Sequence, residues 1–185
     1  AARALRAAVI HDNVSAAYLL GELLAHTNAD GEGEDAATWY RRAAEQNYAN
    51  AQHNLGWCYS NGRGVVMNVV EAVKWWRKAA EQNDAKSQHN LGCCYGKGEG
   101  VAKDEVEAVN WFRKAAEQNV AEAQYHLGIC YYRGRGVTKD LVEAVKWLRL
   151  AAEQNHAQAQ IDLGWFYING QGVADLLEAA CRFRG

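Results

Sequence analysis

The chain has 185 residues, of which 49% are hydrophobic and 23% are charged, and its formal net charge at pH 7 is −2. This composition is typical of a folded globular protein and gives no positive field that would attract nucleic acid or an anionic membrane surface. Because no apolar run approaches the roughly 20 residues needed to cross a bilayer, we expect neither a nucleic-acid partner nor a membrane span.

A unit of 36 residues repeats along the chain after a short leading segment. The heptapeptide RKAAEQN occurs twice unchanged, and near copies of it end at Asn47 and Asn155. Self-similarity at this period predicts stacked supersecondary units. We therefore predict a single repeat domain over residues 1–185. It divides into a partial helix at 1–12, repeats at 13–47, 48–83, 84–119 and 120–155, and an incomplete final repeat at 156–185.

The first half of each unit is predicted to be a helix centred on a repeated leucine. Leu127 has equivalents in Leu55, Leu91 and Leu163, and each is followed by glycine. At 100° per residue, the recurring neighbours of Leu127 fall on its side of the helix, which marks that side as core. The glycine after the leucine allows a neighbouring helix to approach closely.

The second half of each unit is predicted to be another helix, with small and aromatic residues on its core side: Ala108, Trp111, Phe112, Ala115 and Ala116. An N-cap residue and a glutamate three positions later predict a capping box at four starts: Asn68/Glu71, Asp104/Glu107, Asp140/Glu143 and Asp175/Glu178. The asparagine of each AEQN suits a left-handed helix end, and Gly-x-Gly suits the turn between the two helices.

The pattern A-x-A-Q-x-x-L-G-x-x-Y-x-x-G-x-G-V…D-x-x-E-A-x-x-W-x-x-x-A-A closely resembles the SEL-one-like repeat, a relative of the tetratricopeptide repeat. It is present here as AEAQYHLGICYYRGRGVTKDLVEAVKWLRLAA. The resemblance covers residues 13–172 and implies an all-α fold, a right-handed α/α superhelix of about five helix-turn-helix repeats. It also implies adaptor or scaffold work with other proteins, and a concave face lined mainly by the first helices.

The family includes a subfamily rich in cysteine, the cysteine-rich proteins of Helicobacter, and the five cysteines of this chain can be compared with its pattern. Members of that subfamily carry two cysteines per repeat in disulfides, and some are associated with β-lactams. Here Cys58, Cys94 and Cys130 occupy one position on successive first helices, and neighbouring helices are too far apart for a bridge between equivalents. We interpret them as buried thiols, which favours a cytoplasmic or other reducing compartment and leaves a periplasmic or secreted effector location open.

Positions that differ between repeats provide the candidates for function, because packing requires the same residue in every copy and a ligand does not. We call the candidates the variable stripe, and we predict that they bind a partner peptide or helix on the concave face. They are Tyr18, His53, Asn54, Trp57, His89, Asn90, Cys93, Tyr125, His126, Ile129, Tyr132, Asp162 and Trp165. The alternative is that Trp57 and Trp165 pack on the adjacent repeat and complete the core.

Residues for catalysis or cofactor binding are not recognisable. Cys93 with His89 and His126 is the one constellation with a nucleophile and bases, but nothing marks an oxyanion hole. His53, His89 and Cys93 lack the close spacing of a structural zinc site, and Gly-x-Gly never extends to a P-loop. We expect no catalytic residue, metal or cofactor.

These patterns predict a non-catalytic scaffold that binds another protein. Two alternatives stay open: a small-molecule binder or hydrolase related to the β-lactam-associated subfamily, and a passive spacer. The irregular first and last segments also leave end-to-end contacts between copies open.

Overall fold

The computed structural model describes residues 13–27 and 36–171, and within these ranges the secondary structure consists of nine α-helices without strands. The helices are α1 Val14–Thr27, α2 Ala36–Glu45, α3 Ala49–Asn61, α4 Val69–Glu81, α5 Ala85–Lys97, α6 Glu105–Glu117, α7 Ala121–Arg133, α8 Leu141–Glu153 and α9 Ala157–Ile168. None of them has both the length and the apolar character required to span a membrane.

The helices form two compact units. The first unit holds the described residues up to Leu91 together with Glu99–Ala102, and the second holds Gly92–Gly98 and the described residues from Lys103 onward. In the first unit α2 packs between α1 and α3, and α3 packs on α4. In the second, α6 packs on α7, and α8 packs between α7 and α9. The predicted partial helix at 1–12, the cap at Asp175 and Glu178, and Cys181 lie outside the described residues.

The core consists of the residues that the repeats share. Leu55, Leu91 and Leu127 have no exposed surface. The predicted core side of the second helix is confirmed on α6, where Trp111 and Phe112 are 8% and 5% exposed and the alanines beside them are buried. Burial of such side chains is the main stabilising contribution of each repeat.

The N-caps of the second helices are confirmed, but the reciprocal half of the predicted capping box is wrong. The Asp104 side chain accepts from the backbone N–H of Glu107 at 2.9 Å. The backbone N–H of Asp104 donates to the Tyr95 carbonyl at 2.9 Å, so it is not available to a glutamate. The glutamates at 71 and 143 instead pair with the lysines three residues later.

The end of each AEQN sequence forms a hydrogen-bonded seam between successive repeats. Asn47 has φ 64°, and its equivalents have φ between 63° and 68°, which confirms the predicted left-handed helix end. The buried Gln52 amide donates to the Ala44 carbonyl at 3.2 Å and to Asn47 Oδ1 at 3.1 Å. Gln82, at the end of the same repeat as Gln52, donates to Gln52 Oε1 at 2.7 Å and to Asn47 Oδ1 of the preceding repeat at 3.1 Å. The heptapeptide therefore recurs because it supplies both sides of this seam.

The glycine after the repeated leucine lies where two helices touch. A Cβ atom at Gly56 would lie 2.6 Å from the Trp76 indole, and one at Gly128 would lie 2.9 Å from Leu148. These distances are shorter than van der Waals contact, so the predicted close approach is confirmed. The first helix of a repeat can pack on the second only without a side chain there.

Candidate partner-binding surface

The thirteen residues of the variable stripe all lie on the first helices, α1, α3, α5, α7 and α9, and none of them is fully buried. Trp57 and Trp165 are 45% and 44% exposed, whereas Leu55 beside Trp57 has no exposed surface. Trp57 is therefore not a core residue, while Trp165 packs partly on Tyr132 of the preceding repeat. The other eleven are half-buried.

In the first unit, Tyr18 and Asn54 belong to a polar network around Glu22, which occupies a variable position of the first helix. Glu22 Oε1 accepts from the Tyr40 hydroxyl at 2.7 Å and from the Asn54 amide at 2.6 Å. The Tyr18 ring lies 5.2 Å from the Tyr48 ring. Burial and the neighbouring Glu22 carboxylate raise the pKa of Tyr40 and of Tyr18, so both phenols stay protonated. This network joins α1, α2 and α3.

His53 on α3 contacts the start of α5. Its Nδ1 atom lies 2.9 Å from Ser87 Oγ and 3.3 Å from Asp84 Oδ1. Asp84 also accepts from the backbone N–H of Ser87 at 2.7 Å. Burial by itself would raise the pKa of Asp84, but the hydrogen bonds with His53 and Ser87 outweigh it and lower that pKa to about 2. His53 is thus part of an inter-repeat contact as well as a candidate for partner binding.

In the second unit, Tyr125 makes the corresponding contact with the start of α9. Its ring stacks on His156 with centroids 4.7 Å apart. Burial raises the pKa of Tyr125, and the nearby Asp162 carboxylate, a hydrogen-bond partner, raises it further. His126, the next residue on α7, stacks on Phe112 at 5.0 Å.

An aromatic cluster occupies the C-terminal end of the stripe in the second unit. The Tyr132 ring lies 5.1 Å from Phe166 and 6.1 Å from Trp165 in edge-on geometry. Lys139 lies over the Tyr132 ring, with its ammonium nitrogen 5.7 Å from the centroid. Phe166 is buried, so this cluster anchors the exposed Trp165 on the core.

Pairing between variable positions is the feature that sequence reasoning missed. Tyr18, His53 and Tyr125 are equivalent, and each contacts the residue that follows the next AEQN: Tyr48, Asp84 and His156, respectively. The signal was available, because the residue after AEQN also changes from copy to copy. Residues that differ between repeats are therefore not always available to a partner, since some of them contact each other in matched pairs within the chain.

The described cysteines, Cys58, Cys93, Cys94 and Cys130, carry thiols. Cys58 and Cys94 are 3% and 4% exposed, as predicted. Cys130 is only half-buried, which corrects the prediction for that residue, because its part of α7 borders an open cavity. Burial nevertheless raises the pKa of the Cys130 thiol to about 11.

Helix pairs that repeat at a fixed period and bury the residues they share define an all-α solenoid of the helical-repeat class, as predicted. Within this class the chain belongs to the Sel1 repeat family. The family model matches residues 14–48, 49–84, 85–120, 121–156 and 157–180. Proteins with Sel1 repeats are in general scaffolds for protein interaction, and they are typically not enzymes.

Solved structures of Sel1 repeat proteins are similar to this chain. A protective antigen of uropathogenic Escherichia coli with an SLR fold has 38% identity and a TM-score of 0.87, over 93% of this chain and 37% of the antigen. A Sel1 repeat protein from Oxalobacter formigenes has 41% identity and a TM-score of 0.77, over 86% of this chain and 64% of its own. The chain thus spans between a third and two thirds of these proteins.

A more distant similarity is to the cysteine-rich protein B of Helicobacter pylori, with 25% identity and a TM-score of 0.54, over 70% of this chain and 97% of that protein. A search of curated protein sequences gave no match.

Proposed function

We propose that this chain is a non-catalytic scaffold that binds a peptide or helix of another protein through the variable stripe. The observation that carries the proposal is the exposure of Trp57, which is 45% accessible on a first helix whose shared residues are buried. A large aromatic side chain that neither fills the core nor repeats in the next copy is typical of an interaction anchor.

The surroundings of Trp57 support this role. The Arg63 guanidinium lies 5.7 Å from the centre of the Trp57 ring and leaves the ring partly open to solvent. His53 and Asn54 lie one turn earlier on α3, where they pair with Asp84 and Glu22 and connect this part of the helix to its neighbours. A partner could bury an apolar side chain on the exposed part of the Trp57 ring.

Against the hydrolase alternative, the described cysteines carry thiols, whereas the β-lactam-associated subfamily carries two cysteines per repeat in disulfides, a pattern from which this sequence departs. Against the passive spacer, Trp165 is also 44% exposed at the position equivalent to Trp57. A spacer has no need for tryptophan at exposed positions of two separate repeats.

Site-specific photo-crosslinking tests the proposal. A photoreactive phenylalanine is placed at position 50 or 122, two exposed positions of the first helices that differ between copies. We expect both to capture the same protein from native extract. We also expect Trp57→Ala to reduce the capture from position 50 by about tenfold or more, because an anchor tryptophan contributes about 2 kcal/mol or more.

The matched control places the same probe at position 70 or 106, where Val70 and Val106 are 50% and 59% exposed on second helices. Equal capture of that protein from these positions would contradict binding through the first helices. Capture of nothing at all would favour the spacer, and unchanged capture after Trp57→Ala would remove Trp57 from the interface.

A further inference from the structure

A cavity of about 240 Å³ opens in the second unit between the end of α5, the start of α6 and α7. Its apolar lining consists of Ala108, Phe112, Ile129 and Cys130, and the His126 ring, which stacks on Phe112, also lines it. Ala108 and Phe112 are almost fully buried, so the cavity reaches down to the core. Pockets for drug-sized ligands measure about 300–1,000 Å³, so this one is closer in size to a single side chain.

The cavity lies beside two residues of α5 that are smaller than their equivalents in the following repeats. Cys93 is equivalent to Trp57, Ile129 and Trp165, and Gly96 is equivalent to Ser60, Tyr132 and Ile168. Both Cys93 and Gly96 line the cavity. A larger side chain at either position would occupy part of this space.

Gly96 is not required by the backbone or by packing. It lies inside α5, and its φ is not in the left-handed region that favours glycine. A Cβ atom there would meet only the Ala108 methyl, at an ordinary 3.7 Å. Glycine inside a helix costs about 1 kcal/mol relative to alanine, so a stability requirement would favour a larger residue. What the glycine provides is the open volume.

The rim of the cavity is positively charged. Lys97, Lys103 and Arg135 line it together with a single carboxylate, Glu105. Lys103 pairs with Glu105 at 2.8 Å, and this pair, together with the Arg135 charge, lowers the pKa of Glu105. Three cations against one anion leave an excess of positive charge around an apolar lining.

The position of Arg135 at this rim is fixed by its backbone. Its N–H donates to the Cys130 carbonyl at 3.0 Å, at the end of α7. Gly136, with φ 67°, sits so close to the start of α6 that a Cβ atom would be 2.0 Å from the Glu105 carbonyl oxygen. The turn therefore holds the arginine next to the cavity.

We propose that this cavity receives one apolar side chain of a partner peptide in which an adjacent residue is acidic. The apolar lining provides the space for the side chain, and the cationic rim provides the attraction for the neighbouring carboxylate. This inference deepens the proposed function, on which it rests, by assigning an anchor site and the chemistry of the segment that it selects.

The test is selection from a displayed library of random heptapeptides on the whole chain. We expect the selected peptides to share an acidic residue adjacent to an apolar one. A synthetic copy of the most enriched peptide should bind the Gly96→Tyr variant at least about tenfold more weakly than it binds the wild type, because the tyrosine side chain would fill the cavity. Tyrosine is the residue found at the equivalent position 132.

Two further variants separate charge from volume. Arg135→Gln leaves the cavity open and should weaken binding of the same peptide by about fivefold to tenfold. Lys146→Gln removes one positive charge from an exposed position of the second helix α8 that does not line the cavity, and it should leave binding unchanged.

Equal affinity of wild type and Gly96→Tyr for the selected peptide would overturn the inference, as would a selection without acidic residues or without any enriched peptide. If crosslinking from positions 50 and 122 still captures a partner, the proposed function stands and only the cavity assignment fails. If crosslinking captures nothing while the selected peptide binds in the cavity, the cavity assignment stands and the proposed binding along the variable stripe fails.

Discussion

The side-chain amide of Gln52 donates to the backbone carbonyl of Ala44 at 3.2 Å, and these two residues belong to successive repeats. Gln52 is only 1% exposed, so this hydrogen bond lies in the core. The same arrangement joins Gln124 to Ala116 at 3.2 Å in the second unit. A buried amide with its hydrogen bonds satisfied fixes one docking geometry, because any slip would leave polar atoms without partners.

The first prediction concerns this buried glutamine. Gln52→Leu should lower the free energy of unfolding by about 1–3 kcal/mol, because the Ala44 carbonyl loses the donor that Gln52 provides at 3.2 Å and Gln82 loses its acceptor. Urea unfolding followed by circular dichroism measures the change. Gln160→Leu is the matched control.

Gln160 bonds the equivalent carbonyl, Ala152, at 3.1 Å, but it is exposed. Its replacement should change the free energy of unfolding by less than about 0.5 kcal/mol. Equal losses for Gln52→Leu and Gln160→Leu would show that burial of the amide does not decide the energetics of the seam.

The second prediction separates the two roles of Asn119, which has φ 65° and accepts from Gln124 and Gln154 at 3.1 Å each. Asn119→Gly keeps the left-handed backbone and loses only the acceptor. Asn119→Ala loses the acceptor and adds steric strain of about 1 kcal/mol. We therefore expect the alanine variant to unfold at a lower urea concentration than the glycine variant, and coincident midpoints would contradict this.

The third prediction tests close helix packing. Gly56→Ala should reduce the free energy of unfolding by about 1–3 kcal/mol, since the new methyl would lie 2.6 Å from the Trp76 indole and 3.1 Å from the Ala72 carbonyl oxygen. Thermal unfolding measures the loss. At the equivalent Gly164 a Cβ atom meets nothing within 4 Å among the described residues, so Gly164→Ala should be neutral or stabilise by up to about 1 kcal/mol. A destabilised Gly164→Ala protein would refute this explanation.

The fourth prediction follows from Asp84, whose pKa is lowered from 3.8 to about 2. A depressed carboxyl pKa stabilises the fold above the unfolded-state pKa, and this stabilisation disappears as the pH falls through the folded-state value. Asp84→Asn should therefore cost roughly 1–2 kcal/mol at pH 7 and almost nothing at pH 2. Urea unfolding of wild type and variant from pH 7 to pH 2 measures the difference.

Asp140→Asn provides the control, because Asp140 caps α8 in the same way at an exposed position. A variant difference for Asp84 that stays constant from pH 7 to pH 2 would mean that the carboxylate charge is not responsible for the stabilisation.

Much of the fold could be predicted because the repeats act as their own alignment. Leu127, Gly128 and the alanines of α6 recur for reasons of volume alone, and volume can be inferred from a sequence period. The absence of reciprocal capping by Glu107 was not predictable, because it follows from the hydrogen bond of the Asp104 N–H to Tyr95, a residue in the preceding helix. That partner is defined only by the packing of the two helices.

The candidate surface was predictable in position but not in its pairing. Trp57 and Trp165 are exposed where their variation between copies indicated. His53 and Tyr125 vary for another reason, since each must match the residue that begins the next first helix, Asp84 or His156. The cavity beside Gly96 was missed because the sequence does not say which side chains surround a helical glycine. Whether the space beside it is filled or empty is known only from the packing.

The Gln–Asn seam has an evolutionary consequence. Because each copy from 48–83 to 120–155 carries the glutamine donor for the preceding copy and the acceptor for the following one, in-frame duplication or loss of 36 codons among these copies regenerates a matching joint. Recombination can thus change the number of repeats without requiring a new kind of contact between them. The matched pairs such as His53 with Asp84 do not have this property, so they record which copies have been neighbours.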